Sequence, residues 1–357
     1  ALDPGDVNSG DTSLLHTGCL LSCLVSALVL TFGPERLPRS NLDYVVSFPN
    51  YSDKRHGPLV SRSISIPFLL EDAMANEFIK TETRDGVFIL TMHDPPTRNA
   101  IGGDMAREVI EALDQFEDNP EQRVLLLTGT EPSFCSGANV RGFNQRIQDR
   151  EEKAGSGETP AMLPWGRMES RFAKRSTSSD VGAAQVPLRI HELQKPSIAA
   201  VNGHAMGVGM GIALACDIRI AAEKAQFSEA FVRMGLIPGD GSCWQLPRLI
   251  GLSNTLLLQY TGDRIDGNEA YRLGIVSKVV ADDEIENASM ELATRLAQGP
   301  TQSLAMIKYL VHQSLDMTLK DSLHLANVAQ DQARSTEDHK EAVQAFLEKR
   351  RPEFKGR

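Results

Sequence analysis

Several kinds of chemistry are missing from this 357-residue chain. Its five cysteines, Cys19, Cys23, Cys135, Cys216 and Cys243, include no C-x-x-C pair. An odd set with no paired framework argues against a disulfide scaffold and fits a reducing compartment, here expected to be the cytoplasm. The eight histidines are scattered, with no H-E-x-x-H or comparable ligand spacing, so no metal site is expected. The longest apolar run in the N-terminal quarter, residues 20–30 with Ser and Cys interleaved, falls short of the ~20 residues a membrane span needs. A net charge of −10 supplies no general basic surface for a phosphate backbone, which excludes a broad nucleic-acid role though not a local basic pocket. There is no Ser-His-Asp arrangement and no P-loop. Gly207-x-Gly209-x-Gly211 lacks the spacing of a dinucleotide fingerprint and the acidic residue expected about 20 positions later.

What is present is the balance of an ordinary globular protein, 41% hydrophobic and 24% charged, long enough for one large domain or two. Residues 1–73 do not match the rest. Asp3, Asp6 and Asp11 precede the apolar run with no Lys or Arg, the wrong flank for a secretory signal and too acidic for a mitochondrial presequence. Residues 41–67 are polar, carry prolines and show no sustained period. The globular part is expected to start near Met74, with residues 1–73 a disordered extension or an upstream start-site artefact rather than an anchor. Residues 74–275 then form the core, and residues 276–357 a helical region.

Within the core the strand and helix signals alternate. Phe78 to Thr83 and Val87 to Met92 flank Arg84-Asp85-Gly86, a hairpin signal. Asp94-Pro95-Pro96 ends the second strand. Asp104 is placed to cap a helix whose apolar face is Met105, Val109, Ala112, Leu113 and Phe116, and Asn119-Pro120 stops it. Val124 to Thr128, Ser197 to Val201 and Asp217 to Ala222 read as further strands, and the segment from Gly211 as a buried helix. Residues 142–186, rich in charge, Gly and Ser and carrying Trp165, read either as a mobile loop bordering the site or as a surface excursion. After Gly274 the chain is mostly helical. Leu304, Ile307, Leu310 and Val311 form one stripe, and Leu323, Leu325, Val328 and Ala329 another. Ser335 is placed to cap a last helix with the face Ala342, Val343, Phe346 and Leu347.

Two strand-to-turn segments offer unpaired backbone N–H groups, VLLLTGTEPSFCSGAN at residues 124–139 and KPSIAAVNGHAMGVGMGIALACD at residues 195–217. In this order, and followed by GLIPGDG at residues 235–241, they resemble the crotonase (enoyl-CoA hydratase/isomerase) superfamily over about residues 76–357. The resemblance implies an α/β spiral of ββα units with a helical C-terminal trimerisation region, and a homotrimer or dimer of trimers. It implies an acyl-CoA substrate whose thioester oxygen is held, as it gains charge, by the backbone N–H groups of Ala138 and Val208. Coenzyme A enters as part of that substrate, so no separate cofactor is expected. The coenzyme A pocket is expected to include Ala138, Asn139, Val140 and Arg141, with Lys349 reaching the nucleotide part.

The same motifs place the two glutamates of the family's hydratases on Gly211 and Phe231, neither of which can transfer a proton. Asp240 is the best remaining candidate, one residue out of register from the Asp that some relatives keep in this loop, which falls on Gly239. A buried carboxyl there could exchange protons with the acyl group, although it could equally cap the helix that starts near Ser242. Glu229 is the reserve, expected to be a surface or structural carboxylate, and His204 is expected to be a packed core histidine. The expected activity is isomerisation of an acyl-CoA with Asp240 as acid/base. The alternatives are hydration at a non-standard site, coenzyme A binding without turnover, and a non-enzymatic interaction role. Removing residues 1–73 is expected to leave the melting temperature and oligomeric state almost unchanged, and a chain beginning at Met74 that does not fold would place the boundary elsewhere.

Overall fold

The computed structural model describes residues 76–139 and 185–357. The N-terminal extension, Trp165 and nearly all of the expected insertion lie outside the described residues. The first strands, β1 (Ile79–Arg84) and β2 (Val87–Met92), form the expected hairpin. Its two turn residues, Asp85 and Gly86, both adopt positive φ, as the twist of a two-residue hairpin demands.

A ββα unit then recurs along the chain. β1 and β2 lead to α1 (Gly103–Asp118), and β3 (Val124–Gly129) and β4 (Ser133–Cys135) to α2 (Gln185–Glu192). β5 (Ser197–Val201) and β6 (His204–Met206) lead to α3 (Val208–Ala215), and β7 (Ile218–Ala222) and β8 (Gln226–Ser228) to α4 (Ser242–Thr261). β9 (Ile265–Asp266), α5 (Gly267–Leu273) and β10 (Lys278–Val280) follow. From the second unit on, the first strand of each pair joins one sheet and the second joins another. The larger sheet runs β1-β2-β3-β5-β7-β10 and the smaller β4-β6-β8-β9. This is the spiral the sequence predicts, and its parallel strands read as continuous apolar runs because both faces are covered.

One face packs against α1 through Met105, Val109, Ala112, Leu113 and Phe116, the stripe predicted from spacing, all buried. The other packs against α6 (Ile285–Ala297) through Ile285, Ala293 and Ala297. Because β10 and α6 complete the large sheet and its second core, the packed unit runs past the boundary expected at residue 275. The remaining helices are α7 (Thr301–Ser314), α8 (Leu319–Ser335) and α9 (Glu337–Glu348).

Several local expectations are corrected. Gly102, not Asp104, occupies the cap position of α1, and Asp104 instead pairs with Arg107 one turn on. The last helix is capped by Thr336, whose side chain accepts from His339 N, and not by Ser335. α9 buries Asp338 and Ala345, while Phe346 and Leu347 point outward. α3 starts at Val208 rather than Gly211, so Gly209 and Gly211 lie inside its first turn. Gln185 and Val186, expected at the end of the insertion, belong to α2.

Arg219, in β7, locks successive units together. It is buried, and it donates to the carbonyl oxygens of Leu214 and Cys216 at the end of α3 and of Ile275 beyond α5. Arg219→Met would leave three buried carbonyls without their donor, each costing about 1 kcal/mol or more. A loss of about 3 kcal/mol is expected, read as a lower urea midpoint with unchanged slope. A wild-type midpoint would show that water replaces the guanidinium.

Candidate active site

The site is built where the smaller sheet meets α3 and α4. β4 and β6 run parallel, with Cys135 opposite Ala205. Ala138 lies three residues past Cys135 and Val208 three past Ala205, so parallel pairing carries both segments off the sheet in the same direction. Ile101 N donates to Gly137 O at 2.8 Å and Asn139 N to Ile101 O at 2.9 Å. The intervening Ala138 N–H therefore points off the opposite edge. Val208 is the first residue of α3, where N–H groups have no intrahelical acceptor. Among the described residues, neither the Ala138 nor the Val208 N–H has an acceptor. Val208 keeps negative φ, so its side chain is accommodated where glycine is more usual.

The close approach of α3 to β4 depends on Gly209. A Cβ there would stand 2.8 Å from Cys135 Cβ and 3.0 Å from Cys135 C, far inside contact distance. At Gly211, two residues on, a Cβ would stand 2.6 Å from Asp240 Cγ and 2.8 Å from Asp240 Cβ. The Asp240 side chain thus occupies the space that a side chain at 211 would need. The Phe231 ring lies against Gly207, 3.6 Å from where a Cβ would stand, and forms an apolar wall beside Val208.

Two carboxyl groups are buried here. Glu229, directly after β8, is 0% exposed, and Asp240, two residues before α4, is 3% exposed. Glu229 is therefore neither a surface carboxylate nor remote from Asp240. Ser242 joins them, its Oγ donating to Glu229 Oε2 at 2.8 Å and its N donating to Asp240 Oδ1 at 3.1 Å. Asp240 thus accepts from the first amide of α4, whose cap position is Gly241, and its carboxyl also reaches over α3. Glu229 Oε1 and Asp240 Oδ2 are buried without a partner among the described residues. Burial first, then the Asp240 charge, push the Glu229 carboxyl up to about 8, against the pull of the Ser242 hydroxyl. Burial also raises Asp240, opposed by the Ser242 amide and hydroxyl.

The chain matches the family model of enoyl-CoA hydratase/isomerase over residues 82–161 and 166–357. It belongs to the enoyl-CoA hydratase/isomerase family. Among its relatives, the 1,2-epoxyphenylacetyl-CoA isomerase of Escherichia coli (strain K12) is 35% identical over 283 residues, 79% of this chain and 99% of that protein. The short-chain-enoyl-CoA hydratase of Clostridium acetobutylicum is 31% identical over 278 residues, 77% of this chain and 97% of that protein. The crystal structure of an enoyl-CoA hydratase from Bacillus anthracis superposes with a TM-score of 0.65 at 28% identity, covering 79% of this chain and all of that one.

At the two positions expected to lack a proton-transferring side chain, the Asp240 carboxyl stands over Gly211 and the Phe231 ring lies against Gly207. Of the other predicted residues, Asn139 follows Ala138 directly and pairs its N–H with Ile101 O, while Val140 and Arg141 lie outside the described residues. Lys349 is exposed at the end of α9, and its backbone N–H donates to Phe346 O. No hydrogen bond or ion pair among the described residues ties it to the site. His204 begins β6 and is half-buried, its Nδ1 buried without a partner among the described residues. Sequence reasoning took Ser242 only as a helix start. Nothing in the sequence shows a serine facing two carboxyl groups.

The raised Glu229 carboxyl makes stability depend on pH. Between its ordinary value of 4.5 and about 8, the unfolded chain has released this proton and the folded chain still holds it. Stability therefore falls as pH rises through that window and levels off above it. Glu229→Gln removes the titration, so its stability relative to wild type should rise on going from pH 4.5 to pH 8, by on the order of 4 kcal/mol. Urea unfolding at the two pH values measures this, and parallel curves would place an ionised Glu229 in the folded protein.

Proposed function

We propose that this family member isomerises an acyl-CoA thioester, with Asp240 as the single acid/base and the Ala138 and Val208 N–H groups holding the enolate oxygen. The observation that carries the reading is the position of the Asp240 carboxyl over Gly211, where a hydratase glutamate would stand. One C–H bond of the acyl chain breaks, its proton passes to Asp240, and the electron pair moves onto the thioester oxygen as an enolate. The same carboxyl then returns the proton to another carbon. Preorganised N–H donors favour this path because the oxygen carries charge only along it, each being worth about 3 kcal/mol. Phe231 presents an apolar wall to the acyl group, and the isomerase name of the E. coli relative agrees with such chemistry. Coenzyme A would run past Ala138 to Arg141, with Lys349 toward its nucleotide end. A trimer or dimer of trimers would cover the exposed helical faces.

A second reading is favoured by one observation. Glu229 supplies another buried carboxyl beside Asp240, and a pair of unlike carboxyl groups is what addition of water uses. Mass analysis of a panel of enoyl-CoA thioesters separates the two, since isomerisation leaves the mass unchanged and hydration adds one water. Asp240→Asn keeps the size and the capping oxygen but removes the base, so it should cost on the order of 10² to 10⁴ in rate while coenzyme A binding persists. Full activity in that variant, with Glu229→Gln inactive, would transfer the role to Glu229.

A further inference from the structure

Glu229 and Asp240 form a pair of buried acids, and no basic group among the described residues acts on either of them. Two like charges in such a place cannot both persist, so at neutral pH the pair holds one proton. Ser242, itself fully buried, is the only residue among the described ones that hydrogen-bonds both side chains. Its two donors are not equivalent. The amide can only donate, and it lies where negative charge is favoured, at the N-terminus of α4, whose first helical stretch runs from Ser242 to the break at Gly251. The hydroxyl receives Gln259 Nε2 at 3.5 Å and gives its own hydrogen to Glu229 Oε2. An un-ionised carboxyl satisfies that bond through its carbonyl oxygen and carries its proton on the other oxygen, Oε1.

We propose that Ser242 is a positioning residue between the two buried carboxyl groups: its amide, at the head of α4, holds Asp240 as the member that carries the single negative charge, while its hydroxyl orients the un-ionised Glu229, a contact that by itself favours the anion and so works against the division. The consequence for catalysis rests on the reading of Asp240 as the base. Before reaction the pocket holds one negative charge, on Asp240. After the proton moves from the acyl carbon to Asp240, the charge sits on the enolate oxygen and the pair is neutral. An ionised Glu229 would add a second negative charge beside the enolate and oppose the step.

Few other groups could set this balance. α3 and β8 contain no titratable side chain, and His204 pairs with Gln226 at the opposite end of β6 from the Met206–Ser228 register. From the short helical turn after Glu229, Arg233 is directed to Asp263 at 3.1 Å. α4 contributes the Cys243 thiol, which burial raises and which stays neutral through the relevant range.

The test needs no turnover. In the full-length protein, an infrared titration should show the carbonyl stretch of one protonated carboxyl group disappearing as pH rises through about 8. The band should be absent from Glu229→Gln. In Ser242→Ala, which loses the hydroxyl and keeps the amide, its midpoint should rise by about one pH unit, the equivalent of one ordinary hydrogen bond. Ser242→Thr should restore it. An unmoved midpoint in Ser242→Ala, or a band that survives in Glu229→Gln and vanishes in Asp240→Asn, would overturn the proposal. These outcomes are independent of whether Asp240→Asn is inactive, so failure of the base assignment and failure of the proton division are read separately.

Discussion

The site depends on one close contact, the seating of the first turn of α3 on the end of β4. Parallel pairing of β4 and β6 delivers two chain segments side by side, but the pairing alone would leave a side chain's width between them. Glycine at 209 closes that gap, and the Ala138 and Val208 N–H groups come off neighbouring segments of one rigid surface. Backbone donors fixed in this way need no reorganisation when charge develops opposite them. Their side chains are then free to vary, which is how valine can stand at 208.

A second constraint follows from the first. With α3 this close, the space over its first turn is small, and one side chain fills it. A residue at 211 and the side chain of Asp240 compete for that volume. A side chain at 211 and the carboxyl of Asp240 therefore exclude one another. The carboxyl that fills this space comes from the loop before α4 rather than from α3. The cost is a second acid nearby, because Glu229 is buried at the end of β8 with no cation among the described residues to balance it. Retaining a proton resolves the conflict more cheaply than burying two charges.

Much of the fold was legible because it rests on periodicity. The α1 face, the Ser197–Val201 strand and the Asp85-Gly86 turn were found in register from apolar spacing and turn residues alone. Helix starts were read less well. At α1 a glycine, Gly102, holds the cap position ahead of the polar Asp104, and at α9 Thr336 holds it rather than its neighbour Ser335. The segments that carry Ala138, Val208 and Asp240 were singled out only through motifs, since a backbone N–H has no residue signature. The burial of Glu229 was not legible, for a physical reason. A glutamate after a short strand ordinarily faces water, and only the depth of the smaller sheet and Ser242 at the head of α4 make a buried one tolerable.

The C-terminal helices show the opposite limit. Their apolar stripes are plain in the sequence, yet α7 and α8 contain no fully buried residue in the single chain. Leu319, Phe346 and Leu347 are 77%, 82% and 74% exposed, and Ile307, Leu323 and Val328 are more than half exposed. A stripe declares that a face must be covered, and within one chain these faces are not. The end of the chain is nevertheless held, because Arg123 donates to Phe354 O while Asp338 accepts from Lys355 N and Gly356 N. α7 is anchored to the core by Lys308 on Asp217 at 3.0 Å. These bonds orient the helices without burying them. Contiguous apolar surface on an anchored scaffold marks a face suited to interaction, and here spacing reveals the face while only the three-dimensional structure reveals that it is exposed.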